Sequence, residues 1–319
     1  MERDLIVARS IFSFHMVPRI RLSAKSPEFS RLAYGTWRWL NDPTPPTPQQ
    51  LLERLHRCVD LGITTIDTAE IYGGYRVEEA LGAALALDKG LRQQLEIVTK
   101  AGIYVPNAFH PDRKVAYYDA SGARMIKSLE KSLRFLGVDH IDLLLVHRPD
   151  WLTRADDTAE GLNRLLQYGK IRSAGVSNYN THQFDALNAC MQQPLVTNQV
   201  EFSLLHMDPI YDGTFDQAQR LGVTPMVWSP LAGGRLLSAD NEAGVRFQAA
   251  AAELGAKHND ATLDQLAYAW VLDHPSRPMP IIGSNRVERI ESAARAAEIT
   301  LSREDWYALW TAAQGRRIP

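Results

Sequence analysis

Gly62-Ile63-Thr64-Thr65-Ile66-Asp67-Thr68-Ala69-Glu70-Ile71-Tyr72-Gly73-Gly74 is the stretch on which the fold of this chain turns. Its β-branched run up to Ile66 predicts a buried strand. The glycine pair predicts a loop, and Arg76-Val77-Glu78-Glu79-Ala80-Leu81 begins a helix. Asp67 then stands at the carboxyl end of a strand, with Tyr72 in the loop behind it. In a barrel of alternating strands and helices, that edge carries the chemistry. Taken singly, the same two residues read as a helix-capping acid and a partly buried tyrosine.

Strand followed by helix recurs on both sides of this stretch. Strands are predicted at 31–37, 63–66, 95–99, 141–146, 171–176, 196–200, 223–228 and 279–282. Thr47 caps a helix with Pro48 in its first position, and Leu51, Leu52, Leu55 and Val59 form its apolar face, joined by Cys58. Met125, Ile126, Leu129 and Leu133 mark a helix opened by Asp119-Ala120-Ser121. Further helices are predicted at 160–168, 183–191, 215–221, 246–254, 263–272 and 302–313, with 283–286 opening one more. Eight strands each followed by helix predict a single-domain (β/α)8 TIM barrel over 29–319. An irregular N-terminal extension, 1–28, precedes it. The rival, an open doubly wound sheet, is disfavoured because no G-x-G-x-x-G follows the first strand.

The totals narrow the function classes. The 319 residues are 45% hydrophobic and 23% charged, the balance of a soluble enzyme-sized protein. With 35 basic and 37 acidic residues, net −2, no basic block favours nucleic acid. The two cysteines, Cys58 and Cys190, form no C-x-x-C, so neither a metal site nor a disulfide framework is expected. A reducing cytoplasm is the expected compartment. The apolar run at 11–17 is too short for a signal sequence, and no window is long enough to span a membrane.

Successive strand ends carry Asp67 with Tyr72, then Lys100, then His147. A barrel gathers these neighbours round one mouth. Proton donation to a carbonyl oxygen needs such a set. The Lys100 ammonium is expected to lower the pKa of the Tyr72 phenol. Asp67 would hold Lys100 charged, and His147 would orient the substrate oxygen.

These residues resemble those of the aldo-keto reductases, in particular the bacterial NADP-dependent oxidoreductase branch. The pieces that match are Gly35-Thr36-Trp37, Ile66–Gly73 with its Asp-Thr-Ala-Glu-x-Tyr-Gly, Thr99-Lys100, and the run from Ile141 through His147-Arg148-Pro149. Gly169–Asn178, Asn198–Ser203, Trp228-Ser229-Pro230-Leu231 and Ile282-Gly283-Ser284 complete the set, in family order from about 31 to 298. The resemblance implies a catalytic tetrad of Asp67, Tyr72, Lys100 and His147, with Tyr72 as general acid. It implies NADP(H) bound without a Rossmann fold. Gly35, Thr36, Trp37 and Asp67 would belong to that site, and Ser177, Asn178 and Gln199 would bond the carboxamide. Trp228 would stack on the nicotinamide. Ser229, Pro230, Leu231, Gly233 and Arg235 would lie along the pyrophosphate. Ile282, Gly283, Ser284, Asn285 and Arg286 match the segment for the adenosine 2′-phosphate. Asn285 replaces a frequent basic residue there, and Arg289 and Ala293 replace the usual Gln and Asn, so NADP over NAD rests on Arg286, with Arg289 as helper.

The partner expected is a small-molecule aldehyde or ketone, reduced to an alcohol. Trp37, Tyr104 and Trp151 are the candidate substrate-lining residues, and their aromatic character points to an apolar carbonyl. A cofactor-binding sensor with little turnover is the alternative. A Schiff-base lyase using Lys100 is disfavoured, because Asp67 keeps the amine protonated.

Overall fold

The computed structural model describes residues 16–41, 44–107 and 114–318. Among these residues, eight parallel strands close into a barrel. They are β1 (Ala33–Gly35), β2 (Thr65–Asp67), β3 (Glu96–Ala101), β4 (Ile141–Val146), β5 (Ile171–Ser177), β6 (Asn198–Glu201), β7 (Met226–Trp228) and β8 (Met279–Ile282). Each pairs with its sequence neighbours, and β8 closes on β1 through Ile281 opposite Ala33. The barrel is the architecture expected from the alternating pattern.

Strand periodicity sorts the side chains into two layers. Val98, Leu143, Leu145, Met226, Met279 and Ile281 point inward and form one buried cluster. Ile66, Ile97, Leu144, Val146, Val176 and Ile282 point outward against the helices. All of Ile141–Val146 is buried, as a strand covered on both faces must be.

The helices have local causes. In α1 (Pro48–Asp60), Thr47 and Gln50 make a reciprocal capping box with Pro48 at the start. Leu51, Leu52, Leu55 and Cys58 are its buried face. Burial pushes the Cys58 thiol up to about 12, so it packs as an apolar group. Then come α2 (Val77–Leu87), α3 (Gly122–Leu136) capped by Ser121, α4 (Ala155–Gln167), α5 (Thr181–Cys190) and α6 (Thr214–Leu221). After them come α7 (Glu242–Gly255), α8 (Leu263–Leu272), α9 (Val287–Arg295) and α10 (Arg303–Gln314). Helix α4 begins five residues ahead of its expected start, because Asp156 and Asp157 suit the positive end of its first turn.

Three local readings change. Part of the stretch expected to be irregular is a hairpin, Arg19–Arg21 with Glu28–Ser30. Its Leu22 and Phe29, both fully buried, join the inward cluster and plug the amino end of the barrel. Residues 1–15 lie outside the described residues. The loop after β3 contains a second hairpin, Ile103–Tyr104 with Tyr117–Tyr118. Residues 283–286 lead into α9 without being helical themselves: Arg286 is the N-cap and the helix starts at Val287. Gly283 and Asn285 are instead tied to Arg38, at 3.0 Å from its Nη1 to Gly283 O and 2.8 Å from Asn285 Nδ2 to Arg38 O.

Among the described residues no helix is long and apolar enough to cross a membrane.

Candidate active site

Asp67 ends β2, Lys100 lies within β3, and His147 follows β4. Tyr72 starts a tight turn, Tyr72–Tyr75, whose Gly73 and Gly74 take left-handed backbone, and its ring lines the cleft. That turn requires Gly73 at φ +56°, where an added Cβ would meet Val77 Cγ2 at 2.8 Å and Leu40 Cδ1 at 2.9 Å.

Lys100 Nζ is the hub. It donates to Asp67 Oδ2 at 2.7 Å, to the Thr68 carbonyl at 2.9 Å and to the Tyr72 hydroxyl at 3.0 Å. The other Asp67 oxygen accepts from Gln199 Nε2 at 2.8 Å. All four of Asp67, Lys100, Tyr72 and His147 are buried. Because the Tyr72 oxygen accepts from an ammonium, its own hydrogen is kept for another partner. The rings of Tyr72 and His147 meet edge to face, 6.0 Å apart. Trp37 stands edge-on to Tyr72 at 4.8 Å.

The electrostatics follow from burial and charge. Burial opposes the Lys100 ammonium, but Asp67 and then Tyr72 outweigh it and hold its pKa above the ordinary lysine value. Burial pushes the Tyr72 phenol up, and Lys100 pulls the other way without overcoming it. The expectation of a lowered phenol pKa is therefore corrected: desolvation beats the ammonium. Burial, then Lys100 and Arg148, hold the His147 imidazole well below its usual range, so it is neutral at pH 7. Its Nδ1 is buried and has no hydrogen-bond partner among the described residues.

These groups face a cleft of about 990 Å³. Asp67, Tyr72 and His147 line it, as do Gly35, Trp37, Ser177, Asn178, Gln199, Trp228, Ser229, Pro230, Leu231, Gly233, Gly283, Ser284, Asn285 and Arg286. The amide cluster is mutually held. Asn178 Oδ1 accepts from Trp228 Nε1 at 3.1 Å, and Asn178 Nδ2 donates to Ser177 Oγ at 2.7 Å. Above Gly233 and Gly234, at φ +70° and +99°, nothing lies within 4 Å of where a Cβ would be.

Other expected residues sit elsewhere. Lys100 lies behind the lining, reaching it only through Asp67 and Tyr72. Thr36 is fully buried, its hydroxyl on the Asp67 carbonyl at 3.1 Å. Ile282 points out of the barrel, and its neighbour Ile281 lines the cleft, because strand residues alternate. Arg235 is off the cleft, its Nε on the Ala232 carbonyl at 3.1 Å. Tyr104 is off it too, stacked on Tyr117 at 4.5 Å with the Arg124 guanidinium over its face at 4.0 Å. Ile103, one residue away on the hairpin, lines the cleft instead. Trp151 is 76% exposed and leans on Tyr118.

Several lining residues went unread in the sequence. Arg148 directly follows His147. Asp264 and Tyr268 share one face of α8, and Glu288 and Ser292 share one of α9, each pair four apart. That spacing was visible, but which face meets the cleft depends on packing.

The family model for the Aldo/keto reductase family matches residues 31–313. The chain is 42% identical over 301 residues to 6-dehydroglucose reductase of Agrobacterium fabrum, covering 94% of this chain and 99% of that one. It is 42% identical over 304 residues to Oxidoreductase YdhF of Escherichia coli, covering 95% and 100%. Among solved structures, glycerol dehydrogenase from Gluconobacter oxydans superposes with a TM-score of 0.80 at 26% identity, covering 94% of this chain and 97% of that one.

Proposed function

The chain belongs to the aldo/keto reductase family, enzymes that use a nicotinamide cofactor on small carbonyl compounds, and from that premise we propose that it reduces an aldehyde or ketone to an alcohol with NADPH, Tyr72 giving the proton. The observation that carries this reading is Lys100 Nζ held between Asp67 Oδ2 at 2.7 Å and the Tyr72 hydroxyl at 3.0 Å, at the floor of the cleft.

A dinucleotide suits the residues present. Trp228 offers a flat face, and Ser177, Asn178 and Gln199 offer amide and hydroxyl groups to a carboxamide. The open backbone at Gly233 and Gly234 admits a close pyrophosphate. When bound, the reduced nicotinamide supplies a hydride. Arg286 and Arg289 line the far end, where a guanidinium suits a 2′-phosphate. Asp264 and Glu288 line it as well, so the preference for NADPH over NADH is set by two cations against two acids.

The protein's own part is proton management. The raised phenol pKa keeps Tyr72 fully protonated at neutral pH, ready to donate. Lys100 stabilises the phenolate left behind, and Asp67 keeps Lys100 charged. Neutral His147 donates its ring N–H to the carbonyl oxygen of the substrate and fixes its position. We place the chain in a reducing cytoplasm, which keeps Cys58 and Cys190 as free thiols.

The test is NADPH oxidation, followed at 340 nm by absorbance, across a panel of aldehydes, ketones and quinones that includes 6-dehydroglucose. Tyr72→Phe should lose about 10²–10⁴-fold in kcat, the usual worth of a positioned general acid. Equal turnover by wild type and Tyr72→Phe would show that the proton comes from elsewhere. Tight NADPH binding without turnover on any carbonyl would favour a sensor.

A further inference from the structure

Arg148 stands at the cleft with work undone. Three other buried or half-buried arginines each hold carbonyl or carboxylate partners. Arg31 donates to the Leu272, Arg277 and Pro278 carbonyls, Arg92 pairs with Asp142, and Arg124 forks onto Glu70. Arg148 is half-buried and makes no hydrogen bond or ion pair with any described residue. Among the described residues its guanidinium faces the Trp228 ring, 6.0 Å from Cζ to the centroid. That is the outer limit for a cation over a ring, and the attraction there is weak.

The nearest acids by sequence and site are already used. Asp67 is shared between Lys100 and Gln199. Asp150 accepts from the Ala120 and Leu152 backbone and from Thr153. Pro149 biases Arg148 toward extended backbone, next to His147 and on the same cleft. A guanidinium in a partly dry site seeks an oxyanion, which it binds through paired N–H groups.

Resting on the carbonyl-reductase reading above, we infer that Arg148 is a specificity-determining residue that selects carbonyl substrates carrying an oxyanion, a carboxylate or a phosphate. Neutral His147 takes the carbonyl end, and Arg148 takes the charged end. Of the three aromatics on which an apolar substrate was expected, Trp37 lines the cleft, whereas Tyr104 and Trp151 do not, so the charged end falls to Arg148 beside an apolar wall.

The experiment compares kcat/KM with NADPH for two matched pairs: succinic semialdehyde against butanal, and glyceraldehyde 3-phosphate against glyceraldehyde. It is run on wild type, Arg148→Gln and Arg148→Lys. The charged member of at least one pair should be favoured about tenfold or more in wild type. The ratio should fall to near parity in Arg148→Gln and be partly kept in Arg148→Lys. Whichever pair shows the preference tells carboxylate from phosphate. Reduction of neutral aldehydes with no charge preference overturns this inference and leaves the reductase reading standing. A preference that survives in Arg148→Gln puts the anion elsewhere and overturns it too. An unchanged ratio with weakened NADPH binding, by fluorescence titration, assigns the guanidinium to the cofactor and has the same consequence. No reduction of any carbonyl sinks both.

Discussion

Replacing Lys100 by Met removes one charge from a fully buried hub. Three hydrogen bonds go with it, to Asp67, Thr68 and Tyr72. The Asp67 carboxylate, 3% exposed, then keeps only Gln199 Nε2 at 2.8 Å as a side-chain donor. Removing one partner of a buried ion pair costs about 3–5 kcal/mol, because the other charge is left without its counter-ion. Lys100→Met should lose stability in that range. The double variant Asp67→Asn/Lys100→Met removes both charges and keeps an acceptor for Gln199. It should recover most of the loss, to within about 1–2 kcal/mol of wild type, since a neutralised pair is close to break-even. Both variants should be inactive, as Tyr72 has lost the ammonium that stabilises its phenolate. The assay is urea unfolding at pH 7 followed by tryptophan fluorescence. A single-variant loss under about 1 kcal/mol, or a double variant no more stable than the single, would refute the counter-ion argument.

Other tests reach different parts of the molecule. Glu78 is buried, accepts from Thr99 Oγ1 at 2.6 Å and Ser132 Oγ at 2.9 Å, and burial pushes its carboxyl from 4.5 up to about 7. The unfolded chain releases this proton first, so stability falls as pH rises from 4.5 through about 7, by roughly 3 kcal/mol. Glu78→Gln should match wild type at pH 4 and exceed it above pH 7; equal stability at pH 8 would remove the basis for this. His147 is buried neutral, so its contribution is present above the unfolded-state value near 6.5 and declines below it, by up to about 1.4 kcal/mol per pH unit. His147→Gln should flatten that acid limb in denaturation series, and an unchanged slope would contradict it. A Cβ at Gly161 would lie 2.3 Å from Gly122 Cα where α3 crosses α4. Gly161→Ala should therefore cost about 1–3 kcal/mol in thermal or urea unfolding, the range for overpacking, and a neutral result would mean the helices part freely.

Much of this was legible in the chain itself. Short apolar runs bounded by turns marked every barrel strand, because a parallel strand buried on both faces must be apolar throughout. Thr47-Pro48 and Ser302 announced helix starts through local bonds that need no distant partner. Asp67, Tyr72, Lys100 and His147 were found for a similar reason. The barrel's fixed strand order brings consecutive strand ends to one mouth.

What stayed hidden depends on three-dimensional context. The direction of the Tyr72 pKa was misjudged because a sequence shows the neighbouring charge but not the depth of burial. Tyr104 and Trp151 were placed at the cleft, yet a hairpin register and a solvent-facing loop put Ile103 there instead. The 19–30 hairpin escaped notice because its strands are three residues each and gain their stability from plugging the barrel. Arg148 was read only as part of the run through Pro149 and was given no role. The sequence by itself determined the barrel and the order of its strands, which follow from periodicity and turn spacing, and it named the four residues proposed to react, through their places at strand ends and the family resemblance they carry. Only the tertiary structure decided which charges are dry, which face of each strand meets the cleft and which arginine is left without a partner, because burial and pairing are properties of the packed whole.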